Sequence, residues 1–397
     1  MSRALSEPYA EEWVFNNAFV TQRIGCVGVE LEWLVVDPTA PLARPDHALV
    51  EAVVNPPGRR LPYGSAISFE SGGQVELSTL PAANLTDCLT AAAEDMSVIR
   101  NEVRARGLRL IGAGLDSRPA RRLVDNPRYV ALEAAYDQYG PVGRQMMCNA
   151  ASVQVNVDAG DDSAGWRGRQ RRWWLLNTLG PALMAMFANS LGDGGRSTRQ
   201  LLRFRTDPTR TDPVPAGECR AVWTAYALDA QVTGVRMPTG RPWLVPPVGF
   251  TMRHWLRGQG PRAANLADLR RHLKSVIPPV RARGHLEIRM IDAQRGDDWA
   301  VPATVVAALL DDPTGSDRAA AVAADLPEGA DRAYWIDAAR EGMARPDLAA
   351  AARSLMEIAL DTLHRIRVPA WAAAATARFA DRYTDRGRCP ADDGRSA

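Results

Sequence analysis

The sequence is almost without lysine. Lys274 stands alone among 48 basic residues, the rest being arginine. A Walker-type phosphate loop, a kinase strand lysine and a pyridoxal Schiff base each need a lysine in a defined context, and Arg270-Arg271-His272-Leu273-Lys274-Ser275 supplies none of them. Aromatic residues are sparse at 7%. The five cysteines, Cys26, Cys88, Cys148, Cys219 and Cys389, are odd in number, with no Cys-x-x-Cys pair and no His-Cys cluster at zinc spacing. A disulfide scaffold and a structural zinc site are thereby excluded. An excess of charge is missing as well: the net charge of +2 sets up no field that would gather nucleic acid or an anionic membrane. No uncharged apolar run reaches the roughly 18 residues of a membrane span, and Met1-Ser-Arg-Ala-Leu-Ser-Glu-Pro8 lacks the apolar stretch of a signal peptide. The expectation is a cytoplasmic protein whose partners are small molecules, with no nucleic acid and no membrane.

What is present is globular material: 397 residues, 46% hydrophobic and 24% charged, enough for a large core. Residues 24–36 are β-branched and end at Asp37-Pro38, which predicts a strand and a turn. Two short extended runs between Ile67 and Thr79 flank Ser71-Gly72-Gly73. From 81 to 107 the apolar period changes to three and four, with Asn84 as N-cap and Gly107 beyond the end, predicting an amphipathic helix. Leu108 to Gly114 and Ala151 to Asp158 read as strands, 163–191 as a long helix, 265–275 as a helix capped by Asn265, and 284–292 as a strand. Proline and glycine accumulate over 192–249, which predicts an irregular, loop-rich insertion, and an Ala-rich helical region follows Pro302. Residues 1–384 are expected to form one catalytic domain and 385–397 a disordered tail.

Several of these strands carry polar residues at alternate positions. Glu30 and Glu32 point to one face about 7 Å apart. Glu70 and Glu76 flank a Gly-Gly turn that can return the second carboxylate near the first. Glu287 and Arg289 share a face with His285, and Gln154 lies on the polar face of its strand. One such pair alone describes the wet face of an antiparallel sheet. Together, five glutamates with Arg289 the only cation among them raise one another's pKa unless a hard divalent cation compensates, and Mg²⁺ prefers such oxygens. Magnesium without a phosphate loop points to an ATP-using ligase built on a sheet.

Four ordered segments carry a family resemblance: Gly28-Val-Glu-Leu-Glu-Trp33, Ile67-Ser-Phe-Glu-Ser-Gly-Gly-Gln-Val-Glu-Leu-Ser78, Met146-Met-Cys-Asn-Ala-Ala-Ser-Val-Gln-Val-Asn-Val-Asp158 and His285-Leu-Glu-Ile-Arg-Met-Ile-Asp292. With Phe187-Ala-Asn-Ser190, Thr206-Asp-Pro-Thr-Arg210 and Tyr226-Ala-Leu-Asp229, they resemble the plant-type glutamate-cysteine ligases over about residues 24–300. Met-Cys-Asn and the near absence of lysine are most similar to the actinobacterial branch that supplies γ-glutamylcysteine for ergothioneine biosynthesis. The resemblance implies an α+β fold, a glutamine-synthetase-like curved antiparallel sheet with a concave active-site face and helices packed outside.

By the same resemblance Glu30, Glu32, Glu70, Glu76 and Glu287 are metal-cluster carboxylates. Gln154 lies beside the γ-phosphate metal, and Arg289 holds the transferring phosphoryl. The arginines between 203 and 210, Arg205 and Arg210 among them, together with Arg128, Tyr129 and Tyr226, are candidates to bind substrate. The sequence departs from the family twice. Ser71 replaces a proline, which predicts a looser turn, and Gln154 stands where more distant ligases carry histidine. Cys148, with no histidine partner, is expected to be a buried core residue. The implied reaction joins the glutamate γ-carboxylate to the cysteine amine through γ-glutamyl phosphate, using ATP. The acceptor pocket is not read from the sequence, so another amine acceptor, or a non-catalytic nucleotide- or amino-acid-binding relative, stays open.

Overall fold

The computed structural model describes residues 4–395 except 21, 22, 193, 239, 240, 328 and 330. Among the described residues seven strands form one antiparallel, unclosed sheet: β1 (Val27–Val36), β2 (Ala66–Phe69), β3 (Val75–Ser78), β4 (Arg109–Ile111), β5 (Val153–Asp158), β6 (Val280–Ala282) and β7 (His285–Ile288). The order is β2-β3-β1-β5-β7-β6, with β4 paired to the far end of β1. The α+β expectation therefore holds.

Residues opposite each other in an antiparallel ladder point to the same face. The register aligns Glu32 with Glu76, Ser68 with Glu76, Glu30 with Gln154, Asn156 with Glu287 and Arg281 with Glu287. Six strands, β1, β2, β3, β5, β6 and β7, thus deliver these polar residues to one side. The other side is formed by Val29, Leu31, Trp33, Val75, Leu77, Val153, Val155, Val157, Leu286 and Ile288, all buried. Two helices cover that apolar face: Leu85–Ala105, which packs on β1, and Ala300–Leu310, which packs on β5. Asn84 caps the first of these by accepting from the Asp87 amide, as its position predicts. Ala300–Leu310 is apolar apart from Thr304, whose hydroxyl donates to Ala300 O, and is buried at every residue, as suits a helix enclosed by others.

Two expectations need correction. The 192–249 region is not irregular throughout: it contains helices Thr198–Thr206, Pro208–Thr211 and Cys219–Asp229. The arginines of 203–210 are therefore helical, and their faces matter. Of the segment read as a disordered tail, residues 385–395 are packed. Cys389 and Ala391 are buried, and Asp393 accepts from Arg382, Tyr383 and Arg388. Small residues and one carboxylate that draws several donors hold it down, where composition alone suggested a free end. One core cluster runs from Leu5 to Ala391.

Candidate active site

Glu32, Glu70 and Glu76 place carboxylate oxygens within 4.8 Å of one another. β1 and β3 bring Glu32 and Glu76 side by side, and Ser68 Oγ fixes the latter by donating to Oε1 at 2.7 Å. Glu70 is returned by the Gly-Gly turn. The Gly73 amide donates to Glu70 O at 2.8 Å and the Glu70 amide to Gln74 O at 3.0 Å, closing the β2–β3 hairpin. Gly73 has φ +83°, and a Cβ on Gly72 would stand 1.8 Å from Cys148 O. Only glycine permits both. Ser71 tightens this turn: its Oγ donates to Met147 O at 2.7 Å, and Gln74 Nε2 donates to Cys148 O and Ala150 O. The looser turn predicted from the lost proline is not found, because the hydroxyl supplies a tether of its own. Cys148 is fully buried, as expected.

Glu32 is buried, with Oε2 accepting from the Ser152 amide at 2.7 Å and Oε1 from Gln154 Nε2 at 2.9 Å. Burial and the neighbouring Glu76 push its pKa up. Burial, Glu76 and Glu32 push Glu70 well above the usual carboxylate range. Glu30, one alternation along β1, is raised to about 7 by burial and by Glu287 and Glu76. Carboxylates crowded like this must either hold protons or meet a cation. A hard divalent ion fits the all-oxygen donor set.

Opposite the triad stands a wall of guanidinium groups. The fully buried Glu287 accepts from both Arg281 Nε and Arg281 Nη2, the latter at 2.7 Å, and Arg289 Nη1 lies 3.0 Å from its Oε1. Burial opposes ionisation of Glu287, but the two arginines hold its pKa far below the usual range. Arg289 Nη1 also donates to Gln154 Oε1. Arg199 and Arg203, four residues apart on Thr198–Thr206, complete the wall of a cavity of about 270 Å³. Arg203 donates to Ile277 O, and burial together with Arg289 and Arg199 pushes its pKa well down.

A sequence model described as "Glutamate-cysteine ligase family 2 (GCS2)" matches residues 26–397. The chain belongs to this ligase family. It is 36% identical to the glutamate-cysteine ligase EgtA of Mycobacterium tuberculosis over 97% of this chain and 88% of that protein. It is also 36% identical to EgtA of Mycolicibacterium smegmatis, over 93% of this chain and 86% of that one. Among solved structures, a glutamate-cysteine ligase from Francisella tularensis in complex with AMP aligns over 94% of this chain and 84% of its own, with TM-score 0.47 and 13% identity.

Not every residue expected to serve the ligase site is found in the cavity. Glu30, Glu32, Glu70, Glu76, Gln154, Arg289, Arg128, Tyr129 and Arg210 line it. Arg128 stacks on Tyr129 at 5.7 Å, and Arg210 is buried with Nη2 donating to Tyr136 Oη at 3.0 Å. Glu287 is absent from the lining, engaged by two arginines and outside the carboxylate triad. Arg205 is exposed, because two residues along a helix from Arg203 is the opposite side. Tyr226 is absent from the lining: its Oη donates to Asp212 O at 2.9 Å and its ring stacks on Trp223. Sequence reasoning passed over Arg199, Arg281, Arg283, Ser152 and Lys274. It counted Arg289 as the only cation among the glutamates, but Arg281 is directly across the ladder from Glu287.

Proposed function

We propose that this chain joins the γ-carboxylate of glutamate to the amino group of cysteine, with ATP converted to ADP and phosphate, and that its product serves ergothioneine biosynthesis. One observation carries the proposal: a triad of clustered carboxylates faces five buried or half-buried arginines across a single cavity, an arrangement suited to a metal-bound polyphosphate meeting a carboxylate substrate. A γ-carboxylate oxygen attacks the γ-phosphorus, the bond to the bridging oxygen breaks and ADP leaves. The cysteine nitrogen then attacks the acyl carbon of γ-glutamyl phosphate, phosphate departs and the amine sheds its proton.

Glu32, Glu70 and Glu76, with Glu30 beside them, would hold magnesium. Bound there, Mg²⁺ supplies positive charge to the phosphate oxygens. The chain's own part is positioning and charge. Gln154, fixed between Glu32 and Arg289, keeps the two halves of the site in register. Arg289 and Arg199 meet charge that spreads over the transferring phosphoryl. Arg203 and Arg128 would fork a substrate carboxylate, with Arg210, whose Nε and Nη2 are held by Ser275 O and Tyr136 Oη, beside them in the cavity wall. Glu287 acts through the arginines it holds. The expected setting is the cytoplasm, which the free state of all five cysteines suits. Among the described residues no helix is long and apolar enough to cross a membrane.

The test is direct. Purified protein is incubated with ATP, MgCl₂, glutamate and cysteine, with ADP followed by a coupled assay and product by mass spectrometry. Cysteine-dependent ADP and γ-glutamylcysteine are expected. Faster turnover with alanine or another amine than with cysteine would reassign the acceptor, and ATP binding with no turnover under any condition would overturn the ligase reading.

A further inference from the structure

The segment His285 to Asp292 ends in a carboxylate that the site just described does not use. Asp292 is buried, its side chain without exposure, and yet it takes no part in the cavity lining. It accepts four hydrogen bonds. The Asn189 amide at 2.8 Å and Ser190 Oγ at 2.6 Å reach Oδ2, while Ser197 Oγ at 3.1 Å and Arg199 Nε at 2.7 Å reach Oδ1. These donors come from the segment just after helix Arg169–Met186 and from the N-cap and first turn of Thr198–Thr206, so one carboxylate joins both. Space for it is reserved: a Cβ on Gly114 would stand 2.6 Å from Asp292 Cγ.

Each side of this hub leads to the reacting centre within one residue. Arg199, clamped by Asp292, lines the cavity and donates from Nη2 to Arg289 O at 3.1 Å. Gln200 reaches the same carbonyl at 3.4 Å. Across the sheet Asp292 is bridged to Ser152, whose amide holds Glu32. A buried anion with only donors around it has one low-energy arrangement, because turning any donor away leaves the charge under-satisfied.

We infer that Asp292 is a positioning residue which sets the Arg199 guanidinium and the Arg289 peptide against the triad, so that both cations are aimed before substrate arrives. The inference rests on the ligase reading above. Pre-set donors act where charge develops, so their loss should fall on kcat more than on KM. Asp292→Asn keeps size and one acceptor but must turn its amide toward a donor, either the Arg199 side or the Asn189 side.

The experiment is a double-mutant cycle of Asp292→Asn and Arg199→Ala, with kcat, KM for glutamate and for ATP, and melting temperature measured for each protein. The wild type is assayed first, and absence of γ-glutamylcysteine there overturns the ligase reading itself. With an active wild type, Asp292→Asn is expected to lose at least about tenfold in kcat with KM changed less than about threefold. In the Arg199→Ala background the same change should cost less than about twofold, because the group it aims is gone. Losses that multiply in the double variant, or a kcat in Asp292→Asn that tracks only the folded fraction, overturn the positioning role. Should Asp292→Asn fail to fold, Ser197→Ala removes one donor from Oδ1 and should lower kcat about threefold at unchanged KM, with unaltered kcat counting against the inference.

Discussion

Glu70→Gln is expected to stabilise the metal-free protein while weakening its response to magnesium. Glu70 stands within 4.8 Å of both Glu32 and Glu76. Two unit charges at that distance repel by about 3.5 kcal/mol at an effective dielectric constant of about 20, so a fully ionised triad would suffer two such terms from Glu70 alone. Burial and the two neighbouring carboxylates raise its pKa, so proton uptake relieves part of this repulsion, leaving a realised gain of about 1–2 kcal/mol. A chain of 397 residues unfolds with an entropy of about 0.8 kcal/mol/K, which converts that gain to roughly 1–3 °C in Tm.

The pH dependence follows from the sign of the shift. Glu70 in the folded chain titrates above its ordinary 4.5. Its contribution to stability is complete below that value and is lost as pH rises through the folded pKa. The advantage of the glutamine variant must therefore grow from mildly acidic to alkaline pH. Wild-type protein should gain about 2.7 kcal/mol, roughly 3 °C, when magnesium reaches a hundred times its Kd, and the variant far less. Scanning fluorimetry in EDTA and in saturating MgCl₂, repeated across pH, reads all three effects. A variant less stable than wild type in EDTA at alkaline pH, or one with the full magnesium shift, would refute the assignment of Glu70 to a repelling, cation-binding triad.

The sequence made the carboxylate face legible because strand alternation is a local signal: Glu30 with Glu32, and Glu70 with Glu76 across a Gly-Gly turn, need no knowledge of distant residues. The partners of those carboxylates were harder to see. Arg281 meets Glu287 only because Val280–Ala282 pairs with His285–Ile288 through a hairpin at Gly284, φ +77°, and Pro278-Pro279 disguised that short strand as a linker. The arginines of 203–210 were recognised as a group but not sorted, and Arg199 was passed over. Once Thr198–Thr206 is known to be helical, Arg199 and Arg203 fall four apart on the cavity side and Arg205 turns away. Proline and glycine counts outweighed that nine-residue helix. The role of Asp292 was invisible because its four donors come from residues 189–199, roughly a hundred positions away.

His272 is buried with Nε2 on Ala227 O, and burial lowers its pKa to about 4, so stability should fall by up to about 3 kcal/mol as pH drops from 6.5 toward 4. His272→Gln, which can still donate to that carbonyl, should flatten this slope in thermal melts, and an unchanged slope would clear His272 of it. Arg203→Met should raise KM for a substrate at least about tenfold, about 1.4 kcal/mol, whereas Arg205→Met should leave kcat and KM within about twofold in steady-state assays. Arg281→Met strips Glu287 of both its bonds to Arg281 and leaves only Arg289 Nη1 at 3.0 Å. Breaking a buried pair costs about 3–5 kcal/mol, and the remaining arginine sets the loss at the lower end, roughly 4 °C in Tm. Arg289 is then drawn toward Glu287 and away from Gln154, so kcat should fall as well. The decisive variant is the double one. If the loss comes from an uncompensated charge, Glu287→Gln placed on Arg281→Met removes that charge and restores most of the melting temperature, though not the activity. A double variant no more stable than Arg281→Met would instead assign the role of Arg281 to its packing and to its bond with Lys274 O at 3.0 Å.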